Sequence, residues 1–88
     1  MAWRIELARA AKRDLDALDP PIARRILRFL NRRIVALENP RHIGAPLKSE
    51  SGKYWKYRVG DYRIVAHIED TALRVLVLEI GHRREVYR

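Results

Sequence analysis

The period of apolar and polar positions changes along the chain. Trp3-Arg4-Ile5-Glu6-Leu7 alternates apolar and charged residues, the two-residue repeat of a half-buried strand. From Ala8 to Leu18 alanine and long side chains dominate, and their helix propensity predicts a first helix ending near Asp19. Asp19-Pro20-Pro21 then offers an N-cap followed by prolines in the first turn of a second helix, where a missing N–H costs nothing. In that helix Ile22, Ile26, Phe29, Leu30, Ile34 and Leu37 recur at spacings of three and four, while Arg24, Arg25, Arg28 and Arg32 fall mainly on the opposite arc. Arg33 falls inside the apolar arc. Asn39-Pro40 stops the helix, because a residue before proline is pushed out of the helical region.

Residues 41 to 52 show no sustained period and hold Gly44, Pro46, Ser49, Ser51 and Gly52, so they read as a connector. Three runs rich in aromatic or β-branched residues follow: Tyr54 to Val59, Tyr62 to Glu69 and Leu73 to Ile80. Gly60-Asp61 makes a tight hairpin turn between the first two, and Asp70-Thr71-Ala72 joins the second to the third. The predicted fold is α+β: a short N-terminal strand, a two-helix hairpin and a three-stranded antiparallel meander in one sheet, with the helices packed on one face. The other face is left for a ligand. With no repeat or linker, residues 1–88 read as one domain with a single core.

Composition narrows the function classes. The chain is 48% hydrophobic and 34% charged, too apolar to remain disordered. It has no cysteine, which excludes disulfides, thiol catalysis and thiolate zinc sites. The opening Met1-Ala2-Trp3-Arg4-Ile5-Glu6 lacks an apolar run of signal-peptide length, and no stretch approaches the ~20 apolar residues of a membrane span, so a cytoplasmic protein with no membrane partner is expected. Nineteen Lys and Arg against eleven Asp and Glu give a net charge of +8. That field suits nucleic acid, whose counterions are released by phosphate contacts, or an acidic protein.

Strand alternation sends Tyr54, Lys56 and Arg58 to one face and Trp55 and Tyr57 to the other. In the next run Arg63, Val65 and His67 share one side, and Tyr62, Ile64 and Ala66 the other. A register that brings Arg63 beside Lys56 makes a cationic patch able to hold a phosphate. The same cations also fit a merely solvated face whose stems cover apolar surface. The end of the chain, Gly81-His82-Arg83-Arg84-Glu85-Val86-Tyr87-Arg88, concentrates imidazole, guanidinium and phenol groups, as a frayed basic tail also would. His42, His67 and His82 are too scattered among carboxylates to suggest a metal site.

Pro46-Leu47-Lys48, then Tyr57-Arg58-Val59-Gly60-Asp61-Tyr62-Arg63-Ile64-Val65, then Ile80-Gly81-His82-Arg83-Arg84-Glu85-Val86-Tyr87 together resemble, in order and spacing, the RelE/ParE superfamily of toxins from type II toxin–antitoxin systems. The motifs cover about half of the chain. The RelE branch implies a metal-independent messenger RNA endoribonuclease that works in the ribosomal A site, needs no cofactor and is silenced by a cognate antitoxin. It further implies a toxin–antitoxin complex that binds operator DNA through the antitoxin. By position, the resemblance makes Lys56, Arg63, Arg83 and Tyr87 the catalytic set. A second lysine of some members falls at Tyr54, so that role is absent or altered.

The implied chemistry is attack of a ribose 2′-hydroxyl on its own adjacent phosphate with departure of the 5′-oxygen. Lys56 is expected to be the base, Arg63 to hold the phosphate through its planar fork, Arg83 to stabilise the leaving oxygen, and Tyr87 to stack on or orient the nucleotide. Tyr54, Arg58, His82 and Arg84 are expected to contact RNA. The ParE branch, which blocks DNA gyrase without nuclease activity, is the alternative, and a module that only binds its antitoxin is a third reading.

Overall fold

The structure, a computed structural model, describes residues 3–47 and 53–82. Strand β1 (Arg4–Leu7) is followed by helices α1 (Arg9–Asp16) and α2 (Pro20–Arg28), a π-helical turn (Phe29–Ile34) and a 3-10 turn (Pro40–His42). Strands β2 (Ala45–Pro46), β3 (Tyr54–Val59), β4 (Tyr62–Glu69) and β5 (Arg74–His82) complete the order. One five-stranded sheet runs β1-β5-β4-β3-β2, with β1 parallel to β5 and the other pairs antiparallel. The predicted meander is its centre. The two-residue β2 lies inside the stretch read as a connector, paired through Ala45 with Lys56 and Pro46 with Trp55. Two residues are too few to show a period.

Both helices cover one face. Ala11 and Leu15 of α1, Ile26 of α2, and Leu30 and Ile34 of the π turn are buried against Tyr57 and Val59, Ile64, Ala66 and Ile68, and Val75, Val77 and Ile80. The first helix stops at Asp16, short of Asp19. Asp19 occupies the N-cap position of α2 without a side-chain bond: Pro20 and Pro21 have no N–H to cap, and the Ile22 N–H reaches the Asp19 carbonyl at 2.9 Å.

The π turn replaces the expected continuous α-helix and has a packing reason. Ile26, Leu30 and Ile34 are spaced by four, and in an α-helix such a row drifts by about 40° per step. A wider turn shortens the angular step, which brings Ile34 back in line with Ile26 and Leu30. The same change turns Arg33 off the apolar arc, and it is exposed.

The third long strand begins at Arg74, one residue later than expected, because Leu73 takes φ +50° in the turn before it, and it runs on to His82. Its alternation is broken once. Val65 pairs with Glu79 and Ala66 with Val77, leaving Leu78 as the extra residue of a bulge, so the buried positions go from Val75 and Val77 to Ile80.

Three aromatic donors tie down the chain between α2 and β2. The Trp3 indole donates to the Glu38 carbonyl at 3.0 Å, the Tyr57 hydroxyl to Pro40 at 2.7 Å and the Trp55 indole to Ile43 at 2.7 Å. Asn39 accepts the Arg41 N–H at 2.9 Å and starts the short turn. Gly44 closes the path at φ +80°, where a Cβ would stand 2.5 Å from the Lys56 carbonyl oxygen.

Candidate functional site

The face of the sheet away from the helices carries the predicted cations. Gly60 takes φ +59° at the first central position of a two-residue turn, as a type II′ hairpin requires. A two-residue turn pairs Val59 with Tyr62 and therefore Arg58 with Arg63. Lys56 lies opposite Val65, so the expected side-by-side pairing of Lys56 with Arg63 is corrected to a diagonal one, roughly 7–8 Å between neighbours of this kind. Lys56 is flanked diagonally by Arg63 toward the turn and His67 away from it.

On its other side Arg63 pairs with Gly81 of β5, which adds no side chain to the face. Arg58 is exposed, and its Nε donates to the Gly60 carbonyl at 3.2 Å, which holds the guanidinium at the hairpin end. His82, opposite Tyr62, makes an edge contact with its ring at 5.7 Å. Arg83, Arg84 and Tyr87 lie outside the described residues, as does Lys48.

The rest of the face is organised differently. Glu6 accepts from Arg4 Nε and Arg74 Nη1, each at 2.9 Å, and Arg74 also binds Glu69. His67 Nδ1 lies 3.3 Å from Glu69, and Tyr54 stacks on the His67 ring at 4.9 Å. The Arg4 and Arg74 hydrogen bonds hold the Glu6 carboxyl below the usual carboxylate range, and Glu69 and then Glu6 raise the Arg74 guanidinium. An alternating ionic chain thus crosses β1, β5 and β4, while Lys56, Arg58 and Arg63 occupy neighbouring positions near the hairpin turn.

This neighbourhood suits a phosphodiester: a planar fork from Arg63, a second from Arg58 and the side-chain amine of Lys56, all on strands that fix their spacing. Tyr54 stands at the other end of β3, beside His67. Among the described residues no group of three or more His, Asp or Glu side chains could hold a metal, and no helix is long and apolar enough to cross a membrane. Two arrangements escaped the sequence reading. The His67–Glu69 contact is one, signalled only by the i, i+2 spacing on one strand face. The other is a gathering of helix arginines around Arg58, whose only signal was their shared arc.

Comparison with known proteins agrees with this layout. Residues 5–87 match the family model described as ParE toxin of type II toxin-antitoxin system, parDE. Toxin RelG of Mycobacterium tuberculosis is 30% identical over 92 residues, covering 100% of this chain and 99% of RelG. Toxin RelE of the same organism is 33% identical over 86 residues, covering 98% of this chain and 87% of RelE. The crystal structure of the M. tuberculosis toxin–antitoxin complex RelBE2 contains a chain that superposes with a TM-score of 0.82 at 28% identity, covering 94% of this chain and 93% of that one. The isolated Escherichia coli RelE toxin, at 16% identity, shares the fold with a TM-score of 0.72 over 92% of this chain and 84% of its own. The chain belongs to the ParE toxin family of type II toxin–antitoxin systems, within the RelE/ParE superfamily.

Proposed function

We propose that this toxin is a ribosome-dependent messenger RNA endoribonuclease, acting in the cytoplasm and held inactive by a cognate antitoxin. The observation that carries this reading is the placement of Arg63 across from Arg58 and diagonal to Lys56 on the open sheet face. Lys56 takes the proton of the 2′-hydroxyl as the O2′–P bond forms, and the P–O5′ bond breaks as solvent water protonates the departing 5′-oxygen, which leaves a 2′,3′-cyclic phosphate and a 5′-hydroxyl. Arg63 and Arg58 gain strength as charge builds on the phosphorane-like transition state. The resemblance assigns charge stabilisation at the leaving oxygen to Arg83 and nucleotide stacking to Tyr87. No step requires a metal or cofactor. RNA contacts are assigned to Tyr54, His82 and Arg84 as well.

The test is to add purified protein to ribosomes translating a defined message and locate cuts by primer extension. Cuts in the A-site codon that disappear in Lys56→Ala and Arg63→Ala support the reading; a wild-type protein that makes none overturns it. The match to a ParE family model favours one other reading, inhibition of DNA gyrase without RNA cleavage. Loss of supercoiling in a parallel gyrase assay would support that instead.

The antitoxin partner rests on the relatives solved as toxin–antitoxin complexes, RelBE2 among them. Such a partner also carries the complex to operator DNA. If a small acidic protein is encoded beside the toxin, co-expression of the two should give a complex that survives size-exclusion chromatography.

A further inference from the structure

Around the hairpin end from the open sheet face, Arg25, Arg28, Arg32 and Arg33 meet Arg58 at a groove of about 410 Å³. All five are exposed, and among the described residues none is in an ion pair. No carboxylate lines the groove. The fold brings the two sides close: a Cβ at Gly60 would stand 3.1 Å from Arg25 Nη1. Five gathered like charges repel one another, and a bound polyanion removes that cost.

The spacing favours an extended anion. Arg25, Arg28 and Arg32 follow one another at three and four residues on one helix stripe, spanning about 10 Å along the axis, with Arg58 facing them. A single small anion engages one or two guanidinium forks; a row of phosphates engages the whole stripe. Phe29 and Val59 form the floor of the groove, but Val59 is buried and the Phe29 ring packs against Tyr57 at 6.0 Å, so no aromatic ring stands free at the rim to stack unpaired bases, as single-strand sites require. The exposed large hydrophobic residues, Leu27 and Tyr54, both lie outside it, so its apolar surface is confined to the floor and its rim is guanidinium. A rim made of guanidiniums alone reads a backbone whose bases are already sheltered.

We propose that this groove binds the phosphate backbone of double-helical RNA and that Arg58, shared with the open face, makes it continuous with the candidate catalytic cations. The choice of RNA over DNA rests on the ribosomal reading above; the backbone site itself does not.

The test is fluorescence anisotropy of the full chain with a labelled RNA duplex at several salt concentrations, comparing wild type with R28E/R32E and, as a control of equal charge change on α1, K12E/R13E. At about 0.1 M salt R28E/R32E should weaken binding at least tenfold and lower the slope of log affinity against log salt by about two, with the control losing less than threefold. The neutral R28Q/R32Q should fall between them, and thermal melts establish that each variant is folded. Equal losses in both reversals overturn the groove, leaving only net charge. Stronger competition by a single strand or by a polyglutamate peptide overturns the duplex assignment, and tighter binding of a DNA duplex overturns the assignment to RNA. Groove-dependent RNA binding by a protein that makes no A-site cuts supports the groove while removing the nuclease reading.

Discussion

The Asp14 carboxylate accepts the main-chain N–H of Ile80 at 2.9 Å, 66 residues away in sequence. β1 ends opposite Val77, so it does not cover the edge of β5 beyond that point, and a helix side chain takes the place of a strand partner. Asp14→Ala should lower stability by about 1–3 kcal/mol, read as a lower urea midpoint at unchanged slope. Asp14→Asn keeps an acceptor and should lose less; equal losses would place the effect elsewhere.

Gly44 is fixed twice, by φ +80° and by the 2.5 Å approach that a Cβ would make to the Lys56 carbonyl. Relief would require the strand that carries Lys56 to shift. Gly44→Ala should therefore cost about 3 kcal/mol or more and weaken any activity that depends on Lys56. An unchanged melting temperature would contradict the close approach.

Burial raises the Tyr57 phenol well above its ordinary value, and its hydroxyl is committed to Pro40. The unfolded chain loses this proton more readily than the folded one, so the stabilisation is full below about pH 10 and declines as pH rises beyond it. Tyr57→Phe should lower stability at pH 7 by about 1–3 kcal/mol and flatten the alkaline decline. Melting temperatures from pH 7 to pH 11 would show both.

Asp70 is held below the usual carboxylate range by the Arg41 guanidinium, which contacts both of its oxygens, and Glu6 is held down by Arg4 and Arg74. Stability from these groups is present above the unfolded value near pH 4 and is lost as pH falls through their lowered values. Asp70→Asn should make the melting temperature less sensitive between pH 5 and pH 2. A parallel acid profile would show that this pair contributes nothing.

Arg63→Lys keeps the charge and removes the fork. If bidentate phosphate binding is its task, A-site cleavage should fall about 10²-fold even though the net charge is unchanged. Near-normal cleavage would reduce Arg63 to a source of field.

Much of this fold could be read from local pattern. Alternation identified Tyr57, Ile64 and Ala66 as facing the helices and Lys56, Arg58 and Arg63 as facing away. The register was also within reach, since a two-residue turn at Gly60-Asp61 forces Arg58 opposite Arg63. What could not be read depended on distant partners. β2 exists because β3 offers an edge to pair with, Leu78 bulges because Ile80 must return to the core, and the π turn serves an apolar row spaced by four. The arginine groove needed the helix and the hairpin in one frame, because nothing local ties Arg28 to Arg58.

The pairing of Arg4 with Arg74 carries a consequence for synthesis. The first strand has no neighbour in the sheet until β5 has been made, so the emerging chain holds β1 unpartnered while every element between them is synthesised. Arg63 likewise gains its second flanking strand only when Gly81 arrives. A toxin wired in this way completes its sheet only once β5 has been made, and a product stopped before β5 has neither that sheet nor the flanked Arg63.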